Sequence, residues 1–170
     1  MATVNFKGTP IKLAGNELKV GDAAPEVKVV AGDLSEKKVG GAQGIVQVLL
    51  AVPSLDTPVC AMQTRKFNQN ASEIAGAQVT VISMDLPFAS SRFCAAEGIR
   101  NVVAASDFRD KTFAKSYGVL LDEGPLSGLT CRAVFVVGRN GKITYRELVP
   151  DITSEPDYAA ALVAAKQAAG

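Results

Sequence analysis

Ile45-Val46-Gln47-Val48-Leu49-Leu50-Ala51-Val52 is a nearly unbroken apolar run, short enough for a buried strand. The adjoining segment is just as restrictive: Pro53-Ser54-Leu55-Asp56-Thr57-Pro58-Val59-Cys60. Thr57 supplies a hydroxyl suited to capping a helix, and Pro58 suits the first helical position, where a missing N–H costs nothing. Cys60 then falls in the first turn. There the unpaired N–H groups and the positive end of the helix dipole favour an anion. The thiolate is the nucleophilic form of cysteine, and helix N-termini lower a thiol pKa. The spacing therefore reads as a reactive cysteine in a prepared pocket, set against the plainer alternative of a buried space-filler.

The rest of the chain places this strand and helix. Residues 4–6 and 11–13 alternate apolar and polar around Lys7-Gly8-Thr9-Pro10, which predicts an N-terminal β-hairpin. Residues 21–25 read as a loop, 27–30 as a short strand and 40–44 as a flexible connection. The Cys60 helix is predicted from 58 to about 75, ending at Gly76. Residues 79–84 read as a strand, so strand, helix and strand make a parallel βαβ unit with a right-handed crossover. Cys60 sits at the carboxyl end of the first of these strands, where open α/β sheets place their ligands. Beyond it come a helix over 87–97 containing Cys94, a strand over 102–105, a helix over 111–117 and an irregular stretch over 121–129. Residues 132–137 and 142–147 flank Asn140-Gly141, a strong hairpin signal. An alanine-rich helix over 156–168 closes the chain and is expected to pack closely on the sheet. A βαβ half, an antiparallel hairpin and a closing helix are the element order of a thioredoxin-like α/β fold. The expected architecture is one domain over 1–170, with a central mixed β-sheet flanked by helices.

Composition limits the chemistry. There is no histidine, which removes Ser-His-Asp and Cys-His catalysis and every zinc site that uses imidazole. Three scattered cysteines cannot complete an all-cysteine zinc site, so no metal and no cofactor are expected. Arginine, lysine, hydroxyls or backbone dipoles must activate any thiol. The balance of 18 Lys+Arg against 17 Asp+Glu gives no footprint for nucleic acid or an acidic membrane. No run approaches a membrane span, and the N-terminus lacks the pattern of a secretory signal, so a cytoplasmic protein is expected.

The residues from Pro53 to Cys60 match the Pro-x-x-x-Thr-x-x-Cys motif of peroxiredoxins. Their Asp-Thr-Pro-Val-Cys form resembles the bacterial thiol peroxidase branch, the atypical two-cysteine peroxiredoxins. Asp85-Leu86-Pro87-Phe88-Ala89-Ser90-Ser91-Arg92-Phe93-Cys94, Arg132-Ala133-Val134-Phe135-Val136 and Glu155-Pro156-Asp157-Tyr158 extend the resemblance over nearly the whole chain. It implies a thiol peroxidase acting on hydrogen peroxide and organic hydroperoxides. Cys60 would be the peroxidatic residue, oxidised to a sulfenic acid. Thr57 and Arg132 would bind the thiolate and the peroxide, and Pro53 would shield the pocket from water. Cys94 would be the resolving residue, closing an intrachain Cys60–Cys94 disulfide that thioredoxin reduces. The family also implies a homodimer.

Residue by residue, plainer readings stand beside these. Without the resemblance, nothing selects Arg132 over Arg92, while Arg65 lies off the helix face of Cys60. Cys94 reads equally as an inert helix residue, and Cys131 as a small packing residue. Ser54, Asp56 and Gln63 read equally as ordinary loop and helix surface. Phe88, Phe93 and residues 121–129 are either an apolar entrance or core. Cys60 and Cys94, on different helices, are not expected to meet unless part of a helix opens. A thiol–disulfide oxidoreductase is disfavoured because Ala61-Met62-Gln63 replaces the Cys-x-x-Cys pair. A non-catalytic redox sensor or binding module, switched by the same disulfide, is the alternative from another class.

Overall fold

The computed structural model describes every residue except Met1, Ser72, Glu73 and Ala75. At its centre lies β5 (Val46–Ala51), every residue of which is buried. Burial on both faces explains why its sequence does not alternate. Its side chains nevertheless divide by parity: Leu49 and Ala51 enter one core, Val48 and Leu50 the other. Gln47 is the polar exception, and its amide is satisfied by Gly40 N–H at 2.9 Å and the Gly40 and Gly41 carbonyls at 3.2 and 3.1 Å. Gly40 is required there, since its φ is +79° and a Cβ would collide with the Pro25 carbonyl.

Parallel pairing joins β5 to β6 (Ala77–Ser83), and β6 to β7 (Val102–Ser106). The helix α1 (Pro58–Ala71) makes the crossover from β5 to β6, as the βαβ reading expects. Its predicted continuation to 75 falls partly on residues outside those described. On the other side of β5 runs β9 (Ala133–Val137), antiparallel, followed by its hairpin partner β10 (Ile143–Leu148). Beyond β7 comes β3 (Val27–Ala31), antiparallel to it, and β4 (Glu36–Val39), antiparallel to β3, forms the far edge. The seven-stranded mixed sheet thus has the order β10-β9-β5-β6-β7-β3-β4.

The N-terminal hairpin is present as β1 (Thr3–Phe6) and β2 (Thr9–Ala14), and it forms a separate three-stranded sheet with β8 (Leu120–Leu121). That small sheet and α3 (Thr112–Ser116) cover one face of the large sheet, with Val4, Ile11, Leu13, Phe113 and Tyr117 in a single core. The opposite face receives α1 and α4 (Tyr158–Ala169). Ala161 and Ala165 of α4 are wholly buried against Val134 and Val136, so the alanine-rich face does pack closely. The helix α2 (Pro87–Glu97) ends at Gly98 in the left-handed conformation, φ +65°. No described helix is long and apolar enough to cross a membrane.

β4 falls in a stretch to which the sequence assigns no element, and β8 overlaps the start of the 121–129 stretch read as irregular. The first, Glu36-Lys37-Lys38-Val39, is an edge strand whose charges guard its open side. The second has two residues and exists through its pairing with Leu13 and Ala14. The helix expected over 111–117 shortens to 112–116, because Lys111 takes a left-handed φ of +54° ahead of it.

Candidate active site

The carboxyl end of β5 leads through Val52 and Pro53 into the loop that starts α1. Thr57 opens the helix with its carbonyl, which accepts the Ala61 N–H at 2.9 Å. Its hydroxyl turns the other way and donates to the Ser54 carbonyl at 3.0 Å. The expected side-chain cap is therefore replaced by a turn closed within the loop, which leaves the oxygen lone pairs of Thr57 available to accept.

A pocket of about 270 Å³ opens beside this turn, lined by Pro53, Ser54, Thr57, Pro58, Val59, Arg132, Phe6, Leu126, Leu129, Ile152 and Thr153. Its wall is mainly apolar, with Ser54, Thr57, Arg132 and Thr153 as the polar residues among its lining. Three of the residues singled out in the sequence, Pro53, Thr57 and Arg132, thus meet at one cavity. Cys60 directly follows the pocket-lining Pro58 and Val59 but is itself wholly buried. Of the two alternatives for the 121–129 stretch, Leu126 and Leu129 take the pocket lining, while Leu121 is buried in the core. Phe88 and Phe93 do not line the pocket: Phe88 is 68% exposed and Phe93 faces a different pocket. Both lie on α2, which is set apart from this cavity.

Arg132, just before β9, is only 2% exposed. Such burial demands partners for a permanent charge. Nε donates to the Ile152 carbonyl at 2.9 Å, and Nη1 donates to Gln63 Oε1 at 2.8 Å. Gln63, one turn beyond Cys60 in α1, is also fully buried. Positions three apart share a helix face, so the guanidinium reaches the face that carries Cys60. Gln63 is thus part of the site, not helix surface, and its Nε2 finds no acceptor among the described residues. The sequence signal was a polar side chain at the i+3 position of the candidate nucleophile. Nothing local marked it as buried.

Ser54 also has a partner, since its hydroxyl donates to Asp85 at 2.7 Å. Asp56 is exposed. Arg65 pairs with Glu97 of α2 at 2.9 Å on the surface. One turn further on, Asn68 Oδ1 accepts the N–H groups of Arg100 at 3.0 Å and Asn101 at 2.7 Å, and Asn101 Nδ2 donates to the Asn68 carbonyl at 3.2 Å. Phe67 meets the ring of Tyr158 edge to face at 5.4 Å. The C-terminal half of α1 is firmly moored, while its first turns rest on the pocket.

All three cysteines are free thiols. Cys94, on α2, is half-buried against the core that includes Cys60, and burial raises its thiol above the ordinary range. Cys131 is wholly buried in the opposite core, and burial pushes its thiol up to about 12. Its thiolate is strongly disfavoured.

A cysteine in the first turn of a helix, at the strand end of a thioredoxin-like sheet with an arginine reaching the same helix face, defines a thiol-based redox class. Comparison with known proteins agrees. The Redoxin family profile matches residues 19–162. A thiol peroxidase of Aquifex aeolicus is 57% identical over 156 residues, 92% of each chain, and one of Campylobacter jejuni is 55% identical over 94% of this chain and 90% of its own. The crystal structure of a peroxiredoxin-like protein from Aquifex aeolicus superposes with a TM-score of 0.96 at 53% identity, covering 99% of this chain and 98% of that one. A thiol peroxidase from Chromobacterium violaceum, 22% identical, shares the fold at a TM-score of 0.85, covering 93% of this chain and 91% of its own. The chain belongs to the redoxin family, in its thiol peroxidase branch.

Proposed function

We propose that this protein reduces hydrogen peroxide and organic hydroperoxides through Cys60, and that it is recycled by thioredoxin. The observation that carries this function is the convergence of Arg132, Thr57 and Pro53 on one apolar pocket beside the Cys60 turn. The peroxidase names of relatives sharing more than half of the sequence support it.

In the first step the Cys60 thiolate attacks one peroxide oxygen. An S–O bond forms as the O–O bond breaks, sulfur loses two electrons, and the second oxygen leaves with a proton as water or an alcohol. Arg132 stabilises the charge gathering on that departing oxygen, and its fixed orientation avoids reorganisation during the reaction. Thr57, whose one proton goes to the Ser54 carbonyl, accepts the peroxide O–H on its free lone pairs. The apolar wall excludes water and shelters the sulfenic acid.

In the second step the Cys94 thiolate attacks the Cys60 sulfur. An S–S bond forms, the S–O bond breaks, and hydroxide leaves with a proton as water. Because Cys60 is wholly buried, the first turns of α1 must open for this step. Thioredoxin, an external dithiol, then supplies the two electrons that reduce the disulfide.

Peroxide consumption coupled to a thioredoxin system tests the scheme directly. Cys60→Ser is expected to abolish turnover, Cys94→Ser to stop after one oxidation, and Cys131→Ala to leave turnover within about twofold. Full thioredoxin-linked activity in Cys60→Ser would end it. An intact mass two hydrogens lower after one equivalent of peroxide, without dimer formation, supports an intrachain bond.

A further inference from the structure

Asp85 stands between β6 and α2, two residues before the proline that opens the Cys94 helix. Its carboxylate is where two segments meet. Oδ1 accepts from Ser54 Oγ at 2.7 Å, while Oδ2 accepts from the Leu55 N–H at 2.7 Å and from Ser83 Oγ at 2.9 Å. Ser54 in turn accepts the Asp56 N–H on its hydroxyl at 3.1 Å and the Thr57 hydroxyl on its carbonyl at 3.0 Å. A continuous polar chain therefore runs from the head of the Cys94 helix to Thr57.

The chemistry of the chain suits an ionised carboxylate. Such a group is acceptor-only, and each of its three neighbours here is a donor. Hydrogen bonds to a charged acceptor are also the stronger kind. Beside it lies a second pocket of about 270 Å³, walled by Leu55, Asp56 and Asp85 from one side and by Ala89, Arg92 and Phe93 of α2 from the other. The two cysteine-bearing segments thus meet at Asp85 and leave room next to it.

Resting on the peroxidase function above, we propose that Asp85 is a positioning residue that latches the Cys60 loop to the head of the Cys94 helix. The latch holds Thr57 and the pocket ready for peroxide. It also opposes the opening that brings the two sulfurs together. Its two effects on the cycle therefore have opposite sign, which a residue that only supports the fold would not produce.

The test separates the two steps by rapid mixing with hydrogen peroxide. Sulfenic acid formation is followed in a Cys94→Ser background with a dicarbonyl trap. Disulfide closure is followed with Cys94 present, at peroxide high enough to complete the first step beforehand. Asp85→Ala is expected to slow the first step about tenfold and to speed the second several-fold, with the loss of two charge-assisted bonds to the loop. Asp85→Asn, which keeps an acceptor for the Leu55 N–H, is expected to restore the first step to within about threefold. Ser54→Ala removes a single arm and is expected to give the same pair of signs at smaller size, so an unfolded Asp85→Ala does not end the test.

Both steps slowed in parallel, or neither moved, in whichever of these variants folds would overturn the latch. A protein with Asp85 intact that forms no sulfenic acid at Cys60 would instead overturn the peroxidase function, and the latch with it. The two failures are distinguishable.

Discussion

Arg132 Nη1 donates to Gln63 Oε1 at 2.8 Å, with both side chains buried and Gln63 one helical turn from Cys60. A neutral amide oxygen holds the guanidinium without cancelling its charge. Removing that acceptor in Gln63→Leu leaves a buried charged N–H unpaired, an expected cost of about 2 kcal/mol read from denaturant unfolding. Gln63→Glu keeps the acceptor but neutralises the pair, so stability should hold while Cys60 oxidation at neutral pH slows about tenfold.

Leu126 and Leu129 supply much of the apolar wall of the pocket. Truncating either to alanine removes contact surface that only a bulky substrate uses. An alkyl hydroperoxide should lose about 1 kcal/mol of binding, about fivefold in KM, while hydrogen peroxide changes less than twofold. Steady-state kinetics with both peroxides checks this.

The three thiols should separate by accessibility. Cys131, pushed up to about 12 by burial, should resist iodoacetamide at pH 8 until the protein is unfolded. Cys94 should react more slowly than a free thiol, its rate still rising with pH above the ordinary thiol value. A raised folded pKa gives stability that is full below the unfolded value, about 8.5, and lost as pH climbs towards the folded one. The stability advantage of the native chain over Cys131→Ala should therefore shrink between about pH 8.5 and 12. Peptide mapping and thermal melts read the two effects.

Asp151 behaves in the opposite sense. The Thr153 hydroxyl and N–H and the Gly8 N–H hold its carboxyl down at about 2. Through Gly8 it fastens the N-terminal hairpin to the loop that lines the pocket. A depressed pKa gives stability that is full above the ordinary value of about 3.9 and lost as pH falls through 2. The difference in Tm between the native chain and Asp151→Asn should therefore close across that window.

What could be seen in the sequence was what is local or periodic. The 45–52 run, the Thr-Pro start of α1 and the Asn-Gly hairpin each carry their own signal, and each element formed where it was expected. The edge strand β4 did not announce itself, because Lys37 and Lys38 have little strand preference and the segment is held by its pairing with β3. Arg132 could be preferred to Arg92 only by resemblance, and Gln63 could not be told from helix surface. Their bond joins positions 69 apart, a distance no local pattern spans. The same holds for Asp85, whose partners Ser54 and Leu55 lie about thirty positions upstream.

The clamp between Asn68 and residues 100–101 fixes one end of a tether. Eight peptide steps separate Cys60 from Asn68, about 12 Å as helix and about 26 Å drawn out. On the other side five steps lead back to Leu55, at most about 17 Å, and this shorter arm limits the swing of the sulfur until the Asp85 latch releases Leu55. Oxidation can therefore remodel a stretch of bounded length. The sheet beneath it has no need to move.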